Sequence, residues 1–262
     1  MIIYSGDVAT RATGTDFLEK RIEINKIYSS ADFDAWLLDR LAVKPGEDIL
    51  DVGCGSGAQT IPFAERVGDN GSVSALDISA DSVALLSARL AHKNRVQAIA
   101  VDMKDLQRII ATEFRIKRYD LAQSTYALYY SADRARVLDT MRMALKPGGR
   151  CAVFTPNAPH GLVDLAARFT RIPVEISDCM VFGPNVLAPY FEAHFTDVAV
   201  QRFHNVVTLP SADVLIEFYR QTTYHNVEAE APMRRHADEE IRRTGSFRYE
   251  KNGYLIIGTN HG

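Results

Sequence analysis

Residues 49–60 read Ile-Leu-Asp-Val-Gly-Cys-Gly-Ser-Gly-Ala-Gln-Thr. A short apolar strand runs into three glycines at alternate positions, and these open a helical segment. Glycine allows positive φ and close approach of the backbone to a ligand. A strand–glycine turn–helix unit of this kind packs its helix back onto a parallel sheet. Its turn amides face the crevice beyond the strand's carboxyl end.

The rest of the chain supports that constraint. Strand candidates at 47–52, 71–77, 95–101, 118–124 and 150–155 alternate with helical stretches, with later strands at 196–207 and 253–259. Helices are predicted at 31–43, 57–67, 80–92, 132–145, 184–193, 212–223 and 231–243. The first puts Phe33, Trp36, Leu37 and Leu41 on one face. The fold class is α/β, with a mostly parallel Rossmann-like sheet and helices on both faces. Ser-Ala-Asp occurs at 30–32, 79–81, 131–133 and 211–213, each time before a predicted helix. Ser suits the N-cap and Asp the first turn. Segments 156–183 and 208–250 fit no βα unit and are too long for ordinary connections. They are expected to form a small, mainly helical lid on a single domain spanning 1–262, with its core at 45–155.

The glycine spacing is Gly-x-Gly-x-Gly, not the Gly-x-Gly-x-x-Gly of a dinucleotide site. Asp51, just before the turn, would repel a pyrophosphate and suit an ammonium group, directly or through water. Asp77 ends the second strand 20 residues beyond Gly57. An acid there accepts hydrogen bonds from ribose hydroxyls. Asp102 ends the third strand and could accept from an adenine amine, with Met103 and Ile78 against the ring faces. Amino acid, ribose and adenine together describe S-adenosylmethionine.

The same residues carry a resemblance. Asp51-Val52-Gly53-Cys54-Gly55-Ser56-Gly57 resembles the first motif of class I S-adenosylmethionine-dependent methyltransferases. Asp77, Asp102-Met103, the segment Tyr119–Ser124 and Leu145-Lys146-Pro147-Gly148-Gly149-Arg150 follow in the family's order. The resemblance is strongest over 45–155 and is nearest to small-molecule enzymes of the quinone and natural-product type. It implies a seven-stranded sheet whose last strand is antiparallel. It also implies a cofactor site made of Asp51, Gly53, Cys54, Gly55, Gly57, Asp77, Ile78, Asp102, Met103 and Gln123. Helices ahead of the first strand close over the cofactor in similar enzymes, which adds Tyr28. The expected activity is in-line methyl transfer to oxygen or nitrogen of a small organic acceptor, with S-adenosylhomocysteine as product.

The tyrosine-rich segment after the fourth strand is the expected mouth of the pocket, with Tyr126 and Tyr129 meeting the substrate. His160, after the fifth strand, is the candidate base; His204 and His225 flank the second lid segment. Lys plus Arg is 30 and Asp plus Glu 33, a net charge of −3, so no overall basic footprint for nucleic acid exists. The fourth strand lacks the Pro-Pro-aromatic motif of amino-methylating nucleic-acid enzymes. Methylation of RNA or protein and a non-catalytic binding module remain the alternatives, and a dinucleotide-dependent oxidoreductase is disfavoured by the glycine spacing. Cys54, Cys151 and Cys179 are too scattered for a disulfide framework or a zinc site, and no metal is expected. The N-terminus lacks a basic region followed by an apolar stretch, and no run nears the ~18 residues that span a bilayer. A cytoplasmic monomer or homodimer, without a membrane or nucleic-acid partner, is the expectation.

Overall fold

The computed structural model describes residues 11–90 and 95–262; the reading of the first ten residues lies outside them. At the centre, β1 (Asp48–Val52) pairs in parallel with β2 (Ser72–Asp77) on one side. Beyond β2 lies β3 (Val96–Ala100), also parallel. On the other side β1 meets β4 (Tyr119–Thr125), and β4 meets β5 (Leu145–His160), both in parallel. The chain thus leaves β1 in two directions, and a crevice opens there beyond the strands' carboxyl ends.

The far edge departs from the expected seven strands. Segment 196–207 is two strands, β6 (Thr196–Phe203) and β7 (Val206–Leu209). The last strand, β8 (Phe247–Thr259), is antiparallel to β5 as expected, and it pairs with both β6 and β7. Asn205 lies at the break. Its side-chain oxygen accepts the backbone N–H of Ser30 (3.1 Å) and of Ala31 (3.2 Å), and its amide donates to Ser29 Oγ (2.9 Å). Its backbone oxygen still accepts from Lys251 N (2.8 Å), while its side chain ties the break to the loop at 29–31.

Before β1 come α1 (Thr15–Tyr28) and α2 (Phe33–Leu41). The parallel strands are joined by α3 (Thr60–Val67), α4 (Ala80–Arg89), α5 (Leu106–Thr112) and α6 (Arg134–Met143). Residues 57–59, expected as helix, belong to the turn; the expected helix end at 91–92 lies outside the described residues. After β5 run α7 (Gly161–Ala167), α8 (Val174–Phe182) and, beyond a π turn, α9 (Ala188–His194). After β7 come α10 (Ala212–Arg220) and α11 (Val227–Thr244). The Ser-Ala-Asp triplets do cap helices, but in two ways. Ser79 and Ser211 are N-caps, whereas at the other two sites Asp32 and Asp133 accept the capping N–H. Either side chain supplies the oxygen an orphan amide needs.

Successive strand residues serve opposite cores: Leu50, Ala122 and Val153 one, Ile49, Leu121 and Ala152 the other. Both faces are covered, which explains why these strands are apolar throughout. A further cluster sits apart from them. Leu162 and Leu165 of α7, Leu215 and Phe218 of α10, and Met233 of α11 pack with Val207, Phe247 and Ile24. Each such fully buried side chain contributes roughly 1.5–3 kcal/mol over exposure. The segments expected as a mainly helical lid therefore include strand as well: β5 runs on to His160, and 247–250 of β8 pair with β7.

Candidate active site

The glycine turn is held by main chain and by one acid. The N–H groups of Gly53 and Cys54 both donate to Leu76 O, at 2.8 and 3.0 Å. Gly53 has φ 83°, and a Cβ there would stand 2.1 Å from Ala127 Cβ. Gly57 has φ 97°, and its Cβ would meet Leu86 Cδ1 at 2.4 Å. Only glycine satisfies both demands. Asp77 braces the same turn: its Oδ2 accepts from Gly55 N (2.8 Å) and its Oδ1 from Ser79 N (2.9 Å). Each carboxylate oxygen keeps a further lone pair for a ligand.

Asp51 lies behind the turn, only 1% exposed. Thr60 Oγ1 donates to it at 2.6 Å, Gln123 Nε2 also donates to it, and Thr125 Oγ1 donates to Gln123 Oε1 at 2.7 Å. This chain of side chains runs from the start of α3 to the end of β4. Burial outweighs those hydrogen bonds and pushes the Asp51 carboxyl up to about 7. Burial likewise raises the Cys54 thiol, which stays protonated.

A cavity of about 1030 Å³ opens above the turn. Gly53, Cys54, Gly55, Asp77, Ile78, Asp102 and Met103 line it, as do Tyr126, Tyr129 and His160. Asp51, Gly57, Gln123 and Tyr28 do not. The first three stand behind the wall, where they shape the turn, and Tyr28 packs against the apolar cluster of α7, α10 and α11. Asp102 accepts from Lys104 N (3.0 Å) and pairs with Lys104 Nζ (3.3 Å) at the surface end of the cavity. Ile78, 58% exposed, offers an apolar face beside Asp77. These residues fit an adenosyl amino acid: glycines leave room for its backbone contacts, two acids await donors, and Ile78 and Met103 offer apolar faces to a ring.

Tyr126 stands in the left-handed region at φ 56°. Its ring packs on Phe33 and Phe154, with centroids at 5.5 and 4.8 Å. Burial raises both Tyr126 and Tyr129 well beyond the usual phenol range, so neither hydroxyl ionises near neutrality. His160 is buried and its Nδ1 has no partner among the described residues. Desolvation, then the charge of Lys251, lowers its pKa to about 3. His204 is exposed and bonded to Asn252 at 2.9 Å, and His225 pairs with Glu230 at 2.8 Å; neither lines the cavity.

Several lining residues were not anticipated. α1 closes one side, bolted to the glycine turn. Ser56 Oγ donates to Glu19, which also pairs with Arg89 (2.6 Å), and Thr15 Oγ1 lies 2.8 Å from Ser82 Oγ. From this helix Arg21 and Asn25 reach the wall, and Lys251 reaches it from β8. Lys251 Nζ donates to Asn25 Oδ1 at 2.9 Å and lies 5.5 Å from the Tyr126 ring centroid. Their signal in the sequence was slight: lone basic residues in stretches without a motif.

The family model described as a methyltransferase domain matches residues 43–183. The chain is 30% identical over 141 residues to the demethylmenaquinone methyltransferase of Bacillus cytotoxicus, covering 52% of this chain and 57% of that one. It is 32% identical over 136 residues to the nocamycin O-methyltransferase of Saccharothrix syringae, covering 52% and 47%. The chain therefore spans about half the length of these two relatives. The trans-aconitate 2-methyltransferase of Deinococcus radiodurans is 29% identical over 195 residues, 68% of this chain and 70% of that one. Among solved structures, the fold is shared with Haemonchus contortus phosphoethanolamine N-methyltransferase 2 (TM-score 0.56, 15% identity, 100% of this chain and 61% of that one). It is shared also with the YcgJ protein of Bacillus subtilis (TM-score 0.56, 14% identity, 87% and 97%).

Proposed function

Because the chain belongs to the methyltransferase domain family, we propose that it moves the methyl group of S-adenosylmethionine to an oxygen or nitrogen of a small organic acceptor. The observation that carries this reading is one cavity joining two unlike ends. At one end the glycine turn meets Asp77 and Asp102; at the other, α1, the tyrosine segment and the end of β5 enclose a pocket. A pocket walled on several sides favours a small acceptor over RNA or protein.

On this reading Gly53, Cys54 and Gly55 hold the amino acid part. Asp77 accepts from the ribose hydroxyls and Asp102 from the adenine amine, with Ile78 and Met103 on the ring faces. Asp51, Gln123 and Gly57 act from behind by fixing the turn. When bound, S-adenosylmethionine would supply a methyl group on a cationic sulfur for in-line transfer, and a protic acceptor would pass its proton to solvent. The protein's part is to align the acceptor and keep water out. Tyr126 and Tyr129 position it through their rings. His160, expected as the base, has low proton affinity, and it serves better as a neutral hydrogen-bonding wall. Residues 1–262 act as one unit, with 45–155 holding the cofactor and 156–183 and 208–250 covering the acceptor.

The test is to follow a labelled methyl group from S-adenosylmethionine into small-molecule, RNA and protein fractions of a cell extract. Label in the small-molecule fraction, lost in Asp77→Ala, is expected. Label chiefly in RNA or protein would replace the acceptor class.

A further inference from the structure

Two cations that line the cavity have no acid as counter-ion among the described residues. Lys251 and Arg21 both line it and both are only partly exposed. Lys251 Nζ has one hydrogen-bonded partner among the described residues, Asn25 Oδ1, and an ammonium has three donors. Among the described residues Arg21 Nη1 donates to main-chain oxygens only, Gln221 O at 2.7 Å and Arg11 O at 3.3 Å. Neither forms an ion pair with an acid among the described residues. Cations drawn away from water are ordinarily paired.

The two cations belong to one wall. Asn25 follows Arg21 by one helical turn and its Nδ2 donates to Arg21 O at 2.6 Å, so one surface of α1 presents both. His160 stands opposite Lys251 in the β5–β8 register, with its Nδ1 unpartnered. Burial first, and the charge of Arg21 second, bring Lys251 down to about 8.

Among the described residues, none of the acids that line the cavity pairs with Lys251 or Arg21. Asp34 takes Lys26 (3.3 Å) and Gln59 (3.1 Å), and Asp32 caps α2. Asp77 and Asp102 face the glycine turn and Lys104. The cavity is therefore polarised. Its acidic end suits a cationic cofactor, and its basic end lacks a negative partner among the described residues.

We infer that the acceptor carries an organic oxyanion, a carboxylate or phosphate, which Lys251 and Arg21 bind while the methylated atom points toward the glycine turn. This rests on the methyltransferase reading above. The attraction also runs across the cavity: an anion is drawn toward the cationic sulfur, and low dielectric strengthens the pull.

The test uses small molecules of a cell extract, separated on an anion exchanger at neutral pH, with methyl-labelled S-adenosylmethionine. The enzyme forms are wild type, Lys251→Gln, Lys251→Arg and Arg21→Gln, and S-adenosylhomocysteine binding by calorimetry reports whether each is folded. Label is expected in the retained fraction. Lys251→Gln and Arg21→Gln should each lower it by about tenfold to hundredfold, the range of a charge-assisted hydrogen bond. Lys251→Arg should keep most of it, and S-adenosylhomocysteine affinity should stay within about twofold in all. Phosphatase treatment of the retained fraction identifies the source: label lost means a phosphate ester, label kept a carboxylate. Label in the unretained fraction overturns the inference alone, as does retained label that both charge-removing variants transfer at the wild-type rate. No label in any fraction overturns the methyltransferase reading and this inference with it.

Discussion

The two ends of the cavity are built on different plans. At the glycine turn, contacts come from backbone amides and from acids at strand ends, within 51–57, 77–79 and 102–104. At the acceptor end, they come from side chains far apart in sequence: Arg21 and Asn25 on α1, His160 at the end of β5, Lys251 on β8. The first end is defined by local geometry. The second depends on how distant segments dock, so its chemistry can alter without disturbing the first.

The largest effect should come from disturbing the turn. Gly53→Ala places a Cβ 2.1 Å from Ala127 Cβ at φ 83°. Expected are an S-adenosylhomocysteine affinity lower by about a hundredfold and a stability loss of roughly 2–4 kcal/mol in urea titration. Wild-type affinity in that variant would mean the turn is not part of the site.

Asp51 sharpens the contrast through pH. Its carboxyl rises from 3.8 to about 7 on folding, so between these values the folded state binds more protons than the unfolded. Stability should then fall as pH rises from about 4 to about 7 and level off above, by of order 2–4 kcal/mol. Asp51→Asn should remove that slope. An ammonium group favours an ionised acid behind it, so the affinity for S-adenosylhomocysteine, which carries one, should rise several-fold in the wild type from about pH 6 to about pH 8. A pH-independent denaturation midpoint in the wild type would refute the buried-acid account.

Asn205→Ala should act on the other end. It removes two bonds from the backbone at Ser30 and Ala31, one from the Ser30 hydroxyl and one to Ser29. The expected stability cost is about 1–2 kcal/mol, with faster amide exchange at 29–31 and cofactor affinity within about twofold. The smallest effect should be that of Tyr126→Phe. The hydroxyl does not ionise and the ring remains, so methyl transfer should stay within about threefold of wild type; a loss beyond about tenfold would make the hydroxyl a proton carrier.

The same contrast explains what the sequence disclosed. Residues 49–57, Asp77 and Asp102-Met103 were legible as places in the fold, because each sits at a strand end or the turn beside it. Asp51, Gly57 and Gln123 were singled out for ligand contact, yet they stand behind the wall; a motif marks residues that build a site as well as those that touch the ligand. Tyr28 was chosen for its ring, while the cavity-lining residues of α1 are Leu18, Arg21, Ile22, Asn25 and Lys26. That helix mixes charge and apolar residues without a clean face. Lys251 lines the cavity because β5 and β8 continue past the sheet, and Asn205 divides a strand without glycine or proline. Both depend on tertiary docking, which periodicity does not encode.

The central claim is that the cavity holds a cofactor at one end and an acceptor, independently, at the other. Calorimetric titration of S-adenosylhomocysteine into wild type, Asp77→Ala and Lys251→Gln tests it most directly. The account predicts tight binding to wild type, a loss of about tenfold or more in Asp77→Ala, and affinity within about twofold of wild type in Lys251→Gln. Absence of binding to wild type, or equal losses in both variants, would contradict it.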